Sequence, residues 1–194
     1  MAHTTNIERG LLHPDIINDQ RGVVCLQSNA TATRPHKGSL HVDMINMLGR
    51  GDIYSERRPI AKSCSLAHFD DQPEMGTYQL VTGKGADKRI AQLFMCGQYN
   101  MGNGSIRYYQ HPRYLKNCKL LDTPQQRYMA FLQCLLRMAK DEALLSNYDT
   151  FYFPRFIGCA VAGGKWSLYQ TALDQFAAMV KDRARVEIVA KKGK

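Results

Sequence analysis

The sequence has no stretch approaching the roughly 20 consecutive apolar residues that span a bilayer, no C-x-x-C pair, no internal repeat and no low-complexity block. The first absence excludes a membrane-spanning helix. Met1 to Gly10 also lacks the apolar core of a secretory signal, so the chain is expected to be soluble and to stay in the cytoplasm where it is made. The second absence bears on redox chemistry. Six cysteines (Cys25, Cys64, Cys96, Cys118, Cys134, Cys159) are scattered among mostly apolar neighbours, which argues against a disulfide frame and predicts reduced thiols. His36 and His41 have no Cys or Glu at ligand spacing, so neither a metal nor another cofactor is expected.

Acidic side chains are short in number as well: 17 Asp and Glu stand against 26 Lys and Arg, for a net charge of +9. That balance suits an anionic partner such as a nucleotide, a nucleic acid or an acidic surface. Lys181, Arg183, Arg185, Lys191, Lys192 and Lys194, against Asp182 and Glu187, place +4 of that charge in a basic C-terminal segment, residues 181–194. Such a segment reads first as a solvated end. Nucleic-acid binding through it is the weaker reading, because no aromatics alternate with its charges.

With 194 residues, 44% of them hydrophobic, the chain fits one ordinary domain, 1–194, around one core. Asn6 to Leu12 reads as a short first strand. Gly22 to Gln27 is an apolar, buried strand that delivers the polar loop Ser28 to Ser39. In open α/β sheets, ligands gather at that strand edge. Asn29 and Thr31 either serve a ligand or cap their own loop through side-chain to backbone hydrogen bonds. Ser39 is a plausible N-cap for a helix through Leu48. Arg50, Arg57 and Arg58 face a phosphate or form a solvated charged face, the second being the simpler reading. Gly76 to Val81 and Arg89 to Cys96 read as a β-hairpin, followed by a polar glycine-rich segment from Gly97 to Gly104.

Asp122-Thr-Pro124 marks a helix start, and the apolar stripe Tyr128, Phe131, Leu132, Leu135 and Ala139 extends the helix from Gln125 to Leu145. Phe151 to Ile157 is a buried strand. It breaks into the small residues Gly158, Cys159, Ala160, Val161, Ala162, Gly163 and Gly164, then Lys165, before a helix begins near Trp166. Strand, small-residue loop and helix start form a phosphate-binding arrangement: small side chains let backbone N–H groups approach an anion, and the helix adds unpaired donors and its positive dipole end. The plainer reading is a tight turn whose glycines serve packing. Val186 to Val189 adds an edge strand. A long helix between two buried strands forces a parallel pair, and the hairpin adds antiparallel pairing. The expected fold is α/β: a three-layer α/β/α sandwich with a central mixed sheet.

Three segments together resemble the macro domain family, especially its small stand-alone phage and viral members. Pro154 to Trp166 is similar to their P-x-I-G-C-G-L-A-G-G-D-W loop. Asn29 to His36, with Tyr54 to Ile60 and Gln72 to Thr77, is similar to their first ligand loop and its sequel. Ile90 to Gln98 resembles their V-x-N-M-x-A-Q strand. The likeness spans most of residues 7–180. It implies an ADP-ribose cleft at the C-terminal strand ends, with Gly158 to Gly164 holding the diphosphate and Asn29 at the distal ribose. Thr31, Gly38 and Ser39 would line that end, and Gln98 or Tyr99 would lie near the cleft.

The departures from the family pattern are specific. The G-D after the first strand, whose Asp reads the adenine, stands here as Gly10-Leu11, so adenine recognition would fall to His13, Asp15 or Asn18. Ala160 replaces the central loop glycine and resists a positive φ. Lys165 replaces an Asp, which favours anion binding and removes one candidate acid or base. The resemblance implies hydrolysis of an ADP-ribosyl or ADP-ribose-1″-phosphate linkage, with Asn29 orienting water or ribose, His36 as general base and Asp43 more distant. The alternative is a non-catalytic binder that sequesters or senses a nucleotide. Partners would then be ADP-ribose or a related nucleotide and ADP-ribosylated protein; a viral source would place the chain in a host cytosol or nucleus.

Overall fold

The computed structural model describes residues 4–62, 65–98, 123–159 and 163–190. Six strands, β1 (Thr5–Ile7), β2 (Gly22–Asn29), β3 (Tyr78–Val81), β4 (Ala91–Gln98), β5 (Thr150–Pro154) and β6 (Arg185–Val189), form one sheet in the order β1-β6-β5-β2-β4-β3. All neighbours run parallel except β3, which pairs antiparallel with β4 as the hairpin pattern predicts.

The sheet is covered on both faces, as a run of apolar residues in a parallel strand requires. On one face Val23, Cys25, Leu93, Met95, Phe151 and Phe153 pack under α3 (Pro124–Lys140), α4 (Glu142–Asn147) and α5 (Trp166–Val180). On the other, Val24, Leu26, Phe94 and Tyr152 pack under α1 (Pro14–Ile17) and α2 (Leu40–Leu48). The fold is therefore the three-layer α/β/α sandwich that the sequence predicts. No helix among the described residues is long and apolar enough to cross a membrane.

Several elements differ from the sequence reading. The first strand is only Thr5–Ile7, and Leu11 turns back into the core. The helix expected from Gln125 to Leu145 is two helices: Asp141 ends the first and caps the second, its Oδ1 accepting from Leu144 N at 2.9 Å. Thr123 starts α3 in a capping box with Gln126, while Asp122 lies outside the described residues. The strand at Val186 to Val189 is not an edge: it sits between β1 and β5, paired to both. Its two-sided pairing builds Arg185–Val189 of the supposed tail into the sheet interior, and Lys191, Lys192 and Lys194 lie outside the described residues.

Ser39 caps α2 as expected, and Gly49 closes it in the left-handed conformation. Parallel pairing of β5, β2 and β4 brings Pro154, Asn29 and Gln98 to one edge of the sheet. Both ligand loops of the sequence reading leave from that edge.

Candidate functional site

A register shift between Ser28 and Asn29 ends the regular pairing of β2 with β4 and releases the first loop. The loop is fixed from within and from below. Asn29 Oδ1 accepts from Thr31 N at 2.8 Å and from Thr31 Oγ1 at 3.0 Å, the self-capping that the side-chain chemistry allows. The loop's outer side is held by Leu66 and Ala67, with Thr33 N donating to Ser65 O at 2.9 Å and Ala67 N to Thr31 O at 2.7 Å.

Beneath it lies a clamp. Arg57 Nη1 donates to the carbonyl oxygens of Asn29 (2.7 Å), Ala30 (3.2 Å) and Ala32 (3.0 Å). Its guanidinium stacks 4.5 Å over the ring of Tyr54, whose hydroxyl accepts from Asn29 N at 3.0 Å. Burial lowers the Arg57 pKa and raises that of Tyr54, so each is held in a dry environment where hydrogen bonds are strong. The three arginines of the segment 50–58 thus do three separate things, and only Arg58 keeps the solvated position that the plainer reading expects. Arg50 pairs with Asp87 at 2.6 Å, Arg58 with Asp71 at 2.7 Å, and Arg57 holds carbonyls.

The clamp leaves a cleft of about 460 Å³, lined by Asn29, Thr31, Arg34, His36, Lys37 and Tyr54 among others. That volume falls within the range of small-molecule sites. Asn29 Nδ2 has no partner among the described residues, and the exposed Arg34, His36 and Lys37 make no ion pair there. Among the described residues, the rim is therefore basic without an ion-pair partner, and one amide donor on a rigid support has no partner.

The structure brings Asn29, Thr31 and His36 of the expected site residues together. Ser39 is placed elsewhere, because its hydroxyl accepts from Val42 N as the α2 cap; Gly38, at φ +73°, turns the chain into that cap. Gln98 pairs with Asn29 across the sheet at the cleft edge. Asp43 is in the first turn of α2. Of the residues considered for adenine, His13 Nδ1 caps α1 by accepting from Asp15 N at 3.3 Å, and Asp15 pairs with Arg9 at 2.8 Å. Asn18 lies at the opposite strand edge, beside Asp87 and Arg89.

The second loop leaves β5 on the neighbouring strand. Cys159 N donates to Phe156 O and Gly164 N to Gly158 O, both at 2.9 Å, so the loop is closed at its neck. Phe156 is held at φ +66°, a strained value for a non-glycine residue, and its exposed ring lies edge-on to Trp166 at 5.3 Å. The half-buried Cys159 thiol donates to Ile157 O, and burial raises its pKa. Gly158 and Gly164 have a packing reason too: a Cβ at either would meet the Tyr169 ring, at 2.4 and 2.5 Å. Lys165 is the N-cap of α5 but makes no side-chain cap bond. Gly163 is described at φ +69°, whereas Ala160, Val161 and Ala162 lie outside the described residues, as do Tyr99 and the segment after it.

Sequence reasoning missed Tyr54, Arg34, Lys37, Ser65 and Leu66 as cleft residues. Arg34 and Lys37 flank His36 and were legible as charge in a ligand loop; Ser65 and Leu66 arrive from a distant segment and carry no local signal.

No protein-family model matches the chain, and no curated protein does. Among solved structures, the macrodomain of Mycobacterium tuberculosis DarG aligns over 98% of this chain and 99% of its own, at 10% identity and a TM-score of 0.50. The fold is that of a macrodomain. A mutant of the Oceanobacillus iheyensis macrodomain aligns over 90% of this chain and 80% of its own, at 14% identity and a TM-score of 0.45. An alphavirus protein, P23pro-zbd, aligns over 98% of this chain at 14% identity and a TM-score of 0.46; the chain spans 22% of that protein's length. On the macrodomain fold, the two loops described above are the ones leaving the C-terminal ends of the central parallel strands.

Proposed function

We propose that the protein binds ADP-ribose, or a derivative of it, in the cleft at the C-terminal strand ends and hydrolyses an ADP-ribosyl or ADP-ribose-1″-phosphate linkage. The observation that carries this reading is the cleft itself: the Asn29 side chain above a rigid clamp, ringed by Arg34, His36 and Lys37, none of which has a carboxylate partner among the described residues. The neck-closed second loop and the uncapped α5 N-terminus beside it supply unpaired N–H donors for a diphosphate. Lys165 adds a cation there.

In this reading Asn29 Nδ2 donates to the distal ribose or to the attacking water, while Oδ1 remains engaged with Thr31 and fixes the amide's orientation. His36, on the cleft rim, takes the proton from that water. Thr31 and Gln98 line the distal end, and Gly38 with Ser39 set the loop's exit. ADP-ribosylated protein is the macromolecular substrate that such a shallow, solvent-facing distal end admits.

A non-catalytic binder is the second reading, and one observation favours it: no described residue orients His36, whereas an efficient base is usually held by a third group. Two measurements separate them. Calorimetric titration with ADP-ribose, AMP and NAD should show ADP-ribose bound more tightly than AMP, because only it fills the distal cleft. Incubation with ADP-ribose-1″-phosphate and with ADP-ribosylated protein should give product that Asn29→Ala abolishes. Stoichiometric binding without product supports the binder, and no binding of ADP-ribose removes both readings.

A further inference from the structure

His41 is a buried titratable group that the proposed chemistry leaves unused. It stands in the first turn of α2, 7% exposed, with Nε2 at 2.9 Å from the carbonyl oxygen of Gly51. A carbonyl only accepts, so Nε2 carries a proton and donates it. Nδ1 has no hydrogen-bond partner among the described residues.

The ring is wedged between a strand and the clamp. It stacks on Phe94 of β4 at 4.5 Å and lies tilted against Tyr54 at 5.3 Å. The Gly51 carbonyl also accepts from Ile53 N at 3.0 Å, which turns the chain toward Tyr54. Gly51 itself is fixed: at φ +93° it packs so closely on the Gln92 side chain that an added Cβ would stand 2.3 Å from Oε1. His41 thus braces the short turn that delivers Tyr54.

From Tyr54 the contacts run to the cleft. Its hydroxyl accepts from Asn29 N, and its ring carries the Arg57 guanidinium that holds the carbonyls of Asn29, Ala30 and Ala32. Among the described residues, the charged and titratable groups facing His41 are Asp52, Tyr54 and Arg57, all from the segment after α2, while β4 presents the uncharged Phe94. Asp52 Oδ1 is already engaged by Tyr54 N at 3.1 Å. A second proton on His41 would therefore bring another cation to a ring that already carries Arg57, and would make Nδ1 a buried donor with no acceptor.

We infer that His41 is a positioning residue for the cleft: its neutral imidazole braces Tyr54 through Gly51 and Phe94, Tyr54 in turn holds the Asn29 backbone, and protonation of His41 releases both. Its bearing on ligand rests on the proposed function of the cleft; its bearing on the loop does not. Burial, ahead of every other influence, lowers the His41 pKa below its ordinary 6.5. The brace is therefore intact above that ordinary value and is lost as pH falls through the lower, folded one.

The test follows assigned histidine Cε1–H and backbone amide signals of the ligand-free protein from about pH 8 to about pH 4.5, together with calorimetric titration of ADP-ribose over the same range. The expected result is a loss of exchange protection at the Asn29 and Thr31 amides that shares the His41 midpoint, while Val24 and Leu26 in the core of β2 stay protected. ADP-ribose affinity should fall by about tenfold per pH unit below that midpoint, because only the braced form binds. His41→Gln, which keeps an amide donor for Gly51 and does not titrate, should lose this pH dependence whatever its affinity at pH 8; His36 is common to both proteins, so the difference belongs to His41. Protection at Asn29 that is unchanged while His41 titrates, a His41 that takes no proton over the range, or equal pH profiles in the two proteins overturns the inference and leaves the proposed function intact. If ADP-ribose binds at no pH, the proposed function falls, and an acid-dependent loss at Asn29 still sustains the brace; absence of binding with unchanged protection overturns both.

Discussion

Arg57 shows how much of a cleft-lining loop is decided by a residue outside the cleft lining itself. It satisfies three carbonyls where β2 stops pairing, at a place where a buried unpartnered acceptor costs about 1–3 kcal/mol. Arg57→Met should therefore lower stability by about 2–4 kcal/mol, read as a fall in the urea midpoint, and should weaken ADP-ribose binding by loosening Asn29. Arg34→Ala and Lys37→Ala, on the exposed rim, should leave that midpoint within about 0.5 kcal/mol of wild type while weakening the anionic ligand. In the sequence, Arg57 is indistinguishable from Arg50 and Arg58, since all three stand in one charged run. Only burial and the direction of the side chain separate them, and neither has a local pattern.

At the scale of elements, legibility followed capping chemistry and apolar runs. β2 and β5 announce themselves by continuous apolar runs, α2 by its cap and α5 by its 3.6-residue stripe; the structure has all four, with β5 ending at Pro154 rather than running on to Ile157. The break at Asp141 was hidden because the apolar stripe continues through it at Leu144 and Leu145. Asp141 also accepts from the Tyr78 hydroxyl, tying the hairpin to the helix junction. Asp141→Ala should cost about 1–2 kcal/mol through the lost cap, measured by thermal or urea unfolding.

The segment from Arg58 to Asp71 is held by a second acid. The hydrogen bonds from the Arg58 side chain and backbone keep the Asp71 carboxyl near 2, at about 2 against an ordinary 3.8, and the Arg89 side chain does the same for Asp87. Because both folded pKa values are depressed, their stabilisation is fully present above the unfolded value of about 4 and is lost as pH falls toward 2. Urea midpoints should drop between about pH 4 and pH 2, and Asp71→Asn should flatten part of that drop while Asp87 retains the rest. An undiminished slope in Asp71→Asn would show that the pair contributes nothing.

For the molecule as a whole, part of the basic excess of +9 that the sequence places in residues 181–194 is engaged within the fold. Arg183 pairs with Glu142 at 2.7 Å and Arg185 donates to Thr150 Oγ1 at 3.1 Å, so the stretch after α5 is built into the sheet and its neighbours. Deleting residues 185–194 should therefore abolish cooperative unfolding by circular dichroism, whereas a detachable basic tail would come away with the transition preserved. The sandwich architecture was legible because its rule is general, a crossover helix between parallel strands. The place of β6 was not, because a five-residue strand carries no mark of which distant partners will flank it.

That placement sets an order of events during synthesis. Thr5 pairs with Glu187, so the first of these six strands to be made has no hydrogen-bonding neighbour in the sheet until about 180 further residues have been added. At about 5–20 residues per second, β1 waits for about 10–40 s, while the β2–β4–β3 core can assemble ahead of it. The nascent chain must keep both β1 and the open flank of β5 from other partners throughout that interval.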